Sequence, residues 1–186
     1  MAIITPTPIR DEQKVRLFSR RELIPQIPNV LWRIERGAIR TLTWNQEGTL
    51  LTLGYWGAGD VVGQNLSRVQ PLKTECCTSV EVIKLPQYLW QQALDAILHH
   101  AQQTEELLSI VHCHRVYLRL WLFLQFLGRK FGRDVGWGRL IDLPITHQEI
   151  AQATNMTWVS VTRTLQQLQA EGKLQRKKRR LILCQD

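Results

Sequence analysis

The sequence lacks the run of ~18 apolar residues that a membrane-spanning helix needs. Its longest apolar stretch, Leu118 to Leu127, is interrupted by Arg119 and Gln125. A secretory signal is missing too: Met1-Ala2-Ile3-Ile4-Thr5-Pro6 has neither the basic segment nor the apolar core of one. Cysteine is sparse, with Cys76, Cys77, Cys113 and Cys184 scattered along the chain, so free thiols in a reducing cytoplasm are expected. No P-loop, nucleophile elbow or HExxH is present, and Gly136-Trp137-Gly138 alone is far too weak a signal, so an enzyme has little support. Internal repeats and low-complexity segments are also missing. What remains is a globular composition long enough, at 186 residues, for one or two packed domains.

Acidic side chains are the other shortage, 16 against 24 Lys and Arg, a net charge of +8. Residues 1–118 carry 12 basic and 11 acidic groups, a net of +1, whereas residues 119–186 carry 12 and 5, a net of +7. The excess therefore belongs to the C-terminal part, and it points to a polyanionic partner there.

From Val30 to Leu85 the chain reads as short strands separated by turns, with Asn45-Gln46-Glu47-Gly48 as a hairpin signal and Gly57-Ala58-Gly59-Asp60 as a tight turn. This pattern predicts an antiparallel barrel or sandwich. Beyond Pro86 the period becomes helical. Ile97, Ala101, Thr104, Leu108, Val111, Arg115, Leu118 and Leu122 alternate spacings of four and three, the seam of a two-helix contact. A second stripe, Leu107, Ile110, His114, Tyr117 and Trp121, runs beside it. Two stripes on one helix predict two partners, its own domain and a second subunit; a central helix buried inside a monomer is the alternative. On a helix His112 and His114 point about 200° apart and cannot share one ion, and Cys76-Cys77 on a strand face opposite sides, so no metal site is expected.

Residues 145–183 are the most informative. Thr146-His147-Gln148-Glu149 is a capping box that opens a short helix with Ile150 and Ala153 inward. The helix ends at Asn155, which tolerates the left-handed backbone of a sharp turn, and Thr157 caps a second helix. With Val161 at zero and about 100° per residue, Leu165 and Leu168 share its inner face, while Val159, Thr162, Arg163 and Gln166 fall between about 100° and 200° on the outer face. Trp158, near about 60°, sits on the shoulder, where it either packs or reaches a partner. This is a helix-turn-helix whose outer face suits the major groove. Gly172 closes the second helix, and Lys173 to Leu183 reads as a wing hairpin whose basic tip, Arg176, Lys177, Lys178, Arg179 and Arg180, suits phosphates.

The run from Leu143 through Gly172 resembles the winged helix-turn-helix of the Crp/Fnr superfamily of bacterial transcription regulators. Trp32 to Arg40 and Gly57 to Gly63 resemble that family's cyclic-nucleotide-binding-type β-roll. Within the family, Leu127 to Gly132 and on through Gln148 look most like the cyanobacterial global nitrogen regulator. The resemblance implies an α+β chain: a jelly-roll-like β-roll over 1–96, a long dimerisation helix over 97–118 and a winged helix-turn-helix over 119–186. It implies a cytoplasmic, non-membrane homodimer on pseudo-palindromic double-stranded DNA, with RNA polymerase as a further partner. Carried over by position, Trp158, Val159, Arg163 and Thr162 read bases. Thr146, His147, Gln148, Thr157, Ser160 and Gln166 join the basic tip at the backbone, and Ile97, Ala101, Thr104, Leu108, Val111, Arg115 and Leu118 form the dimer contact. Where the family carries Arg, Trp158 stands, which puts the first base contact in question. An effector pocket would involve Gly63, Gln64, Arg68 and Lys73. Gln64 replaces the family's ribose-binding Glu, and residues 65–75 lack its Arg-Ser/Thr phosphate pair, which argues against cyclic AMP; a small-molecule sensor of unknown effector and an inert scaffold both stay open. The competing functional class is a sensor or scaffold that acts through a protein partner without sequence-specific DNA binding.

Overall fold

The computed structural model describes residues 14–177 and 180–184; Lys178 and Arg179 of the expected wing tip lie outside the described residues. Two antiparallel sheets form the N-terminal roll. One has the order β1-β7-β2-β5, built from Arg16–Phe18, Val80–Pro86, Val30–Arg36 and Val61–Val62. The other has the order β4-β3-β6, from Leu50–Trp56, Ile39–Trp44 and Lys73–Cys76. The four longer strands follow the expected turns. The short strands β1, β5 and β6 carry too few alternating residues to stand out in the sequence. Gly37, between β2 and β3, has φ +94°, and a Cβ there would meet the Ser79 carbonyl at 2.3 Å, so the turn requires glycine. Trp32, Ile34, Ile39 and Val82 are fully buried between the sheets.

The single long helix expected from the seam is two helices. Helix α1 spans Leu94–Val111 and α2 spans Val116–Phe131, with extended backbone at Arg115 between them. No proline or glycine marks the break. It is held by tertiary hydrogen bonds, because Arg119 donates to the carbonyls of Cys113 (2.8 Å), Thr154 (3.1 Å) and Asn155 (3.2 Å). The helical seam therefore stops at Val111; Arg115 lies in the break and Leu118 beyond it. Helix geometry likewise does not govern the pair His112 and His114. His112 caps α1, its Nδ1 lying 2.9 Å from the Leu108 carbonyl, and His114 stands in the linker.

The C-terminal part folds as expected. The four-stranded sheet β10-β11-β9-β8 comprises Leu174–Lys177, Arg180–Cys184, Gly138–Ile141 and Gly132–Asp134. It packs with α3 (His147–Thr154) and α4 (Trp158–Ala170) around α2. One continuous apolar cluster joins Ala38 and Tyr55 of the roll, Leu107 and Ile110 of α1, the buried face of α2, and Val161 and Leu165 of α4. Among the described residues no helix is long and apolar enough to cross a membrane; Leu120, Phe123, Leu124, Phe126 and Leu127 of the apolar run in α2 are buried inside the protein instead.

A buried polar node closes the joint at the far end of α2. The Asp60 carboxylate, 7% exposed, accepts hydrogen bonds from the Lys130 ammonium, the Gly57 amide (2.6 Å) and Gln103 Nε2 (2.9 Å). Removing the negative charge would leave a buried cation without its counterion. Asp60→Asn is expected to lower unfolding free energy by about 3–5 kcal/mol in urea denaturation; a loss below about 1 kcal/mol, the scale of an exposed pair, contradicts it.

Candidate DNA interface

Helix α3 opens on the capping box read from the sequence: the Glu149 amide donates to Thr146 Oγ1 (3.2 Å), and the Thr146 amide donates to Glu149 Oε2 (2.7 Å). Asn155 takes the left-handed conformation, φ 51° and ψ 47°, and turns the chain into α4. Thr157 Oγ1 accepts from the Ser160 amide (3.1 Å) and donates to Ser160 Oγ (2.9 Å). At the other end Gly172, φ +75°, lets its own amide reach the Gln169 carbonyl and the Lys173 amide reach the Leu168 carbonyl, at 3.1 and 3.0 Å, a Schellman closure. Every boundary of the two helices is thus set by a local hydrogen bond.

Val161, Leu165 and Leu168 are buried at 0–3% exposure, while Trp158 and Val159 stand 51% and 49% exposed, and Arg163 and Gln166 are exposed beside them. Thr162, on the same face, is committed locally: its hydroxyl donates to the Trp158 carbonyl (3.0 Å), and His147 Nδ1 lies 2.9 Å from its oxygen. With the hydroxyl proton used, His147 is the donor of that bond. Its ring lies against the Trp158 indole, centroids 6.2 Å apart. Gln148 and Thr157 are exposed, and Thr146 is engaged by its cap. In the wing, Arg176 and Lys177 are exposed on β10, and Arg180 pairs with Asp142 at 2.9 Å.

Of the residues expected to form an effector pocket, Gly63 lines the main cavity, about 560 Å³ between the roll, α1 and the end of α3. Gln64 sits in the one-turn 3-10 helix Gln64–Leu66 outside that lining, Arg68 is exposed, and the Lys73 ammonium lies over the Trp44 ring at 4.6 Å. No Lys, Arg, Asp or Glu lines the cavity among the described residues, so a phosphate there would meet no countercharge. Sequence reasoning missed His100, Gln152 and Asn155 in its wall. It also missed Arg40, which pairs with Glu75 (2.8 Å) and Glu149 (3.5 Å) and ties the roll to α3. Asn155 is legible as a turn residue but not as a wall of the cavity, and the others carry no local motif; chain-distant partners bring them together.

A capped helix-turn-helix with a wing, joined to an antiparallel roll, defines a DNA-binding transcription regulator. Residues 118–186 match the Crp-like helix-turn-helix domain family. The chain is 36% identical over 182 residues to the regulatory protein CysR of Synechococcus elongatus, covering 96% of this chain and 85% of that one. Its fold matches a CRP-family transcriptional regulator of Thermus thermophilus with a TM-score of 0.78 at 23% identity, over 91% of this chain and 92% of that one. A cyclic nucleotide-binding domain containing protein of Listeria monocytogenes gives 0.77 at 15% identity, over 91% and 88%. The chain belongs to the Crp/Fnr family of transcription regulators. The expected α+β architecture, a cyclic-nucleotide-binding-like domain followed by a helix-turn-helix, is borne out.

Burial holds two histidines of these sites below their ordinary value of 6.5. For His100 the Val61 carbonyl and Asp60 oppose the shift; for His147 the Arg176 charge reinforces it. The unfolded chain then binds protons that the folded chain refuses, so stability present above pH 6.5 is lost as pH falls from there toward the folded-state values. Both imidazoles are expected to titrate below 6.5 by NMR; either one titrating above that value contradicts its burial.

Proposed function

We propose that the chain acts as a homodimer that binds a pseudo-palindromic operator, with one α4 from each subunit in successive major grooves on one side of the duplex. Arg163 reads a guanine through O6 and N7, Trp158 and Val159 contact base edges, and Arg176, Lys177 and the remaining tip cations neutralise phosphates. The observation that carries this reading is the outer face of α4, whose exposed Trp158, Val159, Arg163 and Gln166 stand beside a basic wing. Support for the dimer comes from α1. Leu107 and Ile110 are buried against the chain's own core, whereas Ala101, Thr104 and Leu108 are exposed, and Leu94 and Leu98 extend that face at 53% and 55% exposure. An apolar stripe of this kind on a helix edge fits a second copy. The cavity supports a responsive roll over an inert scaffold, because a molecule held there would touch the roll, α1 and α3 together.

Fluorescence anisotropy with operators selected from a duplex library tests the DNA reading. Wild-type protein is expected to prefer one sequence over random duplex at physiological salt, and Arg163→Ala to lose about 1–3 kcal/mol and relax one position. Equal binding to all sequences sinks the reading and favours action through a protein partner.

Sedimentation tests the dimer separately. Leu108→Glu, at a position 56% exposed, is expected to yield folded monomer; a variant that stays dimeric places the interface elsewhere.

A further inference from the structure

We propose that Trp158 makes the entry contact of α4 an apolar one, so that each half-site carries a T·A pair, read through the thymine methyl, about two base pairs from the guanine read by Arg163. The inference rests on α4 being the element that enters DNA, and it names the sequence class that this helix selects.

The first turn of a recognition helix meets base edges most directly, and here that turn has little polar capacity to offer. Thr157 and Ser160 hydrogen-bond to each other, and the Thr162 hydroxyl is held by the Trp158 carbonyl and His147. What stands free is apolar: Trp158 and Val159, adjacent and about half exposed. The Trp158 indole N–H makes no hydrogen bond among the described residues, but a single donor cannot discriminate well. Guanine N7, adenine N7 and thymine O4 would each accept it, whereas a guanine-specific contact needs a fork of donors and an adenine-specific one needs a donor and an acceptor together. The one apolar group on the major-groove edge is the thymine C5 methyl, and it matches the surface that Trp158 and Val159 present.

The indole is also supported in place. It rests on His147 of α3, and His147 is fixed by Thr162 of α4, so one side chain from each helix braces it. Arg163 follows five residues later, ~7.5 Å along the helix at 1.5 Å per residue. That rise corresponds to about two base-pair steps of ~3.4 Å, the separation assigned to the two recognised pairs. Exposed Arg176 and Lys177 on the neighbouring wing strand supply the positive charge that seats this face on a duplex.

The test uses the whole 186-residue chain. Operators are selected from a random duplex pool, and each thymine of the selected half-site is then replaced by deoxyuridine, which removes only the methyl. The expected result is a recurring T·A pair about two positions from a recurring guanine, with deoxyuridine there weakening binding about fourfold, the scale of one buried methyl. Trp158→Ala is expected to erase the difference between thymine and deoxyuridine, and Trp158→Arg to shift selection at that position to guanine. The wild-type comparison of thymine with deoxyuridine stands without any variant. A preferred operator that has guanine at that position, that is insensitive to deoxyuridine, or whose methyl sensitivity survives in Trp158→Ala overturns the inference alone. A pool that returns no preferred sequence overturns the DNA-reading function and the inference with it.

Discussion

Burial of helix α2 is the constraint on which the rest of the structure depends. Leu120, Phe123, Leu124 and Leu127 are fully buried, and the cluster they anchor reaches the roll, α1, both helices of the DNA-binding unit and the wing strands. Each such side chain contributes roughly 1.5–3 kcal/mol by leaving water, so the two halves share one core. Gly128 shows how close the packing is, since a Cβ there would stand 2.7 Å from Leu183 Cδ1 of the wing. A displacement of α2 must therefore move the helix-turn-helix and disturb the roll together.

Apolar burial has no direction, and the polar contacts at the edges of this core supply it. Lys130 and Asp60 fix one end of α2 to the turn after β4, and Arg119 ties the other end to the break before α2 and to the end of α3. Arg40 reaches from β3 to Glu149, whose other oxygen completes the capping box of α3. One carboxylate thus serves both the local start of α3 and its docking on the roll. Buried ion pairs of this kind tolerate few geometries, because separating them strands a charge in a poor solvent. The cavity lies beside these contacts, with His100 stacked on Trp56 at 3.8 Å in its wall and Gln152 and Asn155 closing it from the DNA-binding side.

The outer face of α4 and the wing divide their work by chemistry. The hydroxyls at the start of α4 are used to cap and brace, and Trp158, Val159 and Arg163 are left exposed. The wing carries Arg176 and Lys177 on the edge strand β10, which is anchored by β11, itself paired on its other side with β9. Charge and shape are thereby held in a fixed relation to one another.

The parts legible from the chain are those set by interactions within a few residues. The capping box at Thr146, the left-handed Asn155, the Thr157 cap, the Gly172 closure and the inner face of α4 all follow from side chains three or four positions apart. The four longer strands of the roll follow from alternation and turn residues. The break between α1 and α2 does not, because its hydrogen bonds come from Arg119 to carbonyls as much as 36 residues away, and the apolar period runs through it undisturbed. The Asp60–Lys130 node joins residues 70 apart, and the cavity wall collects side chains from the roll, α1 and α3, so neither leaves a spacing to read. The chain thus specifies its helix-turn-helix locally, while the docking of that unit on the roll belongs to packing and buried charge, whose partners meet only once the chain has folded.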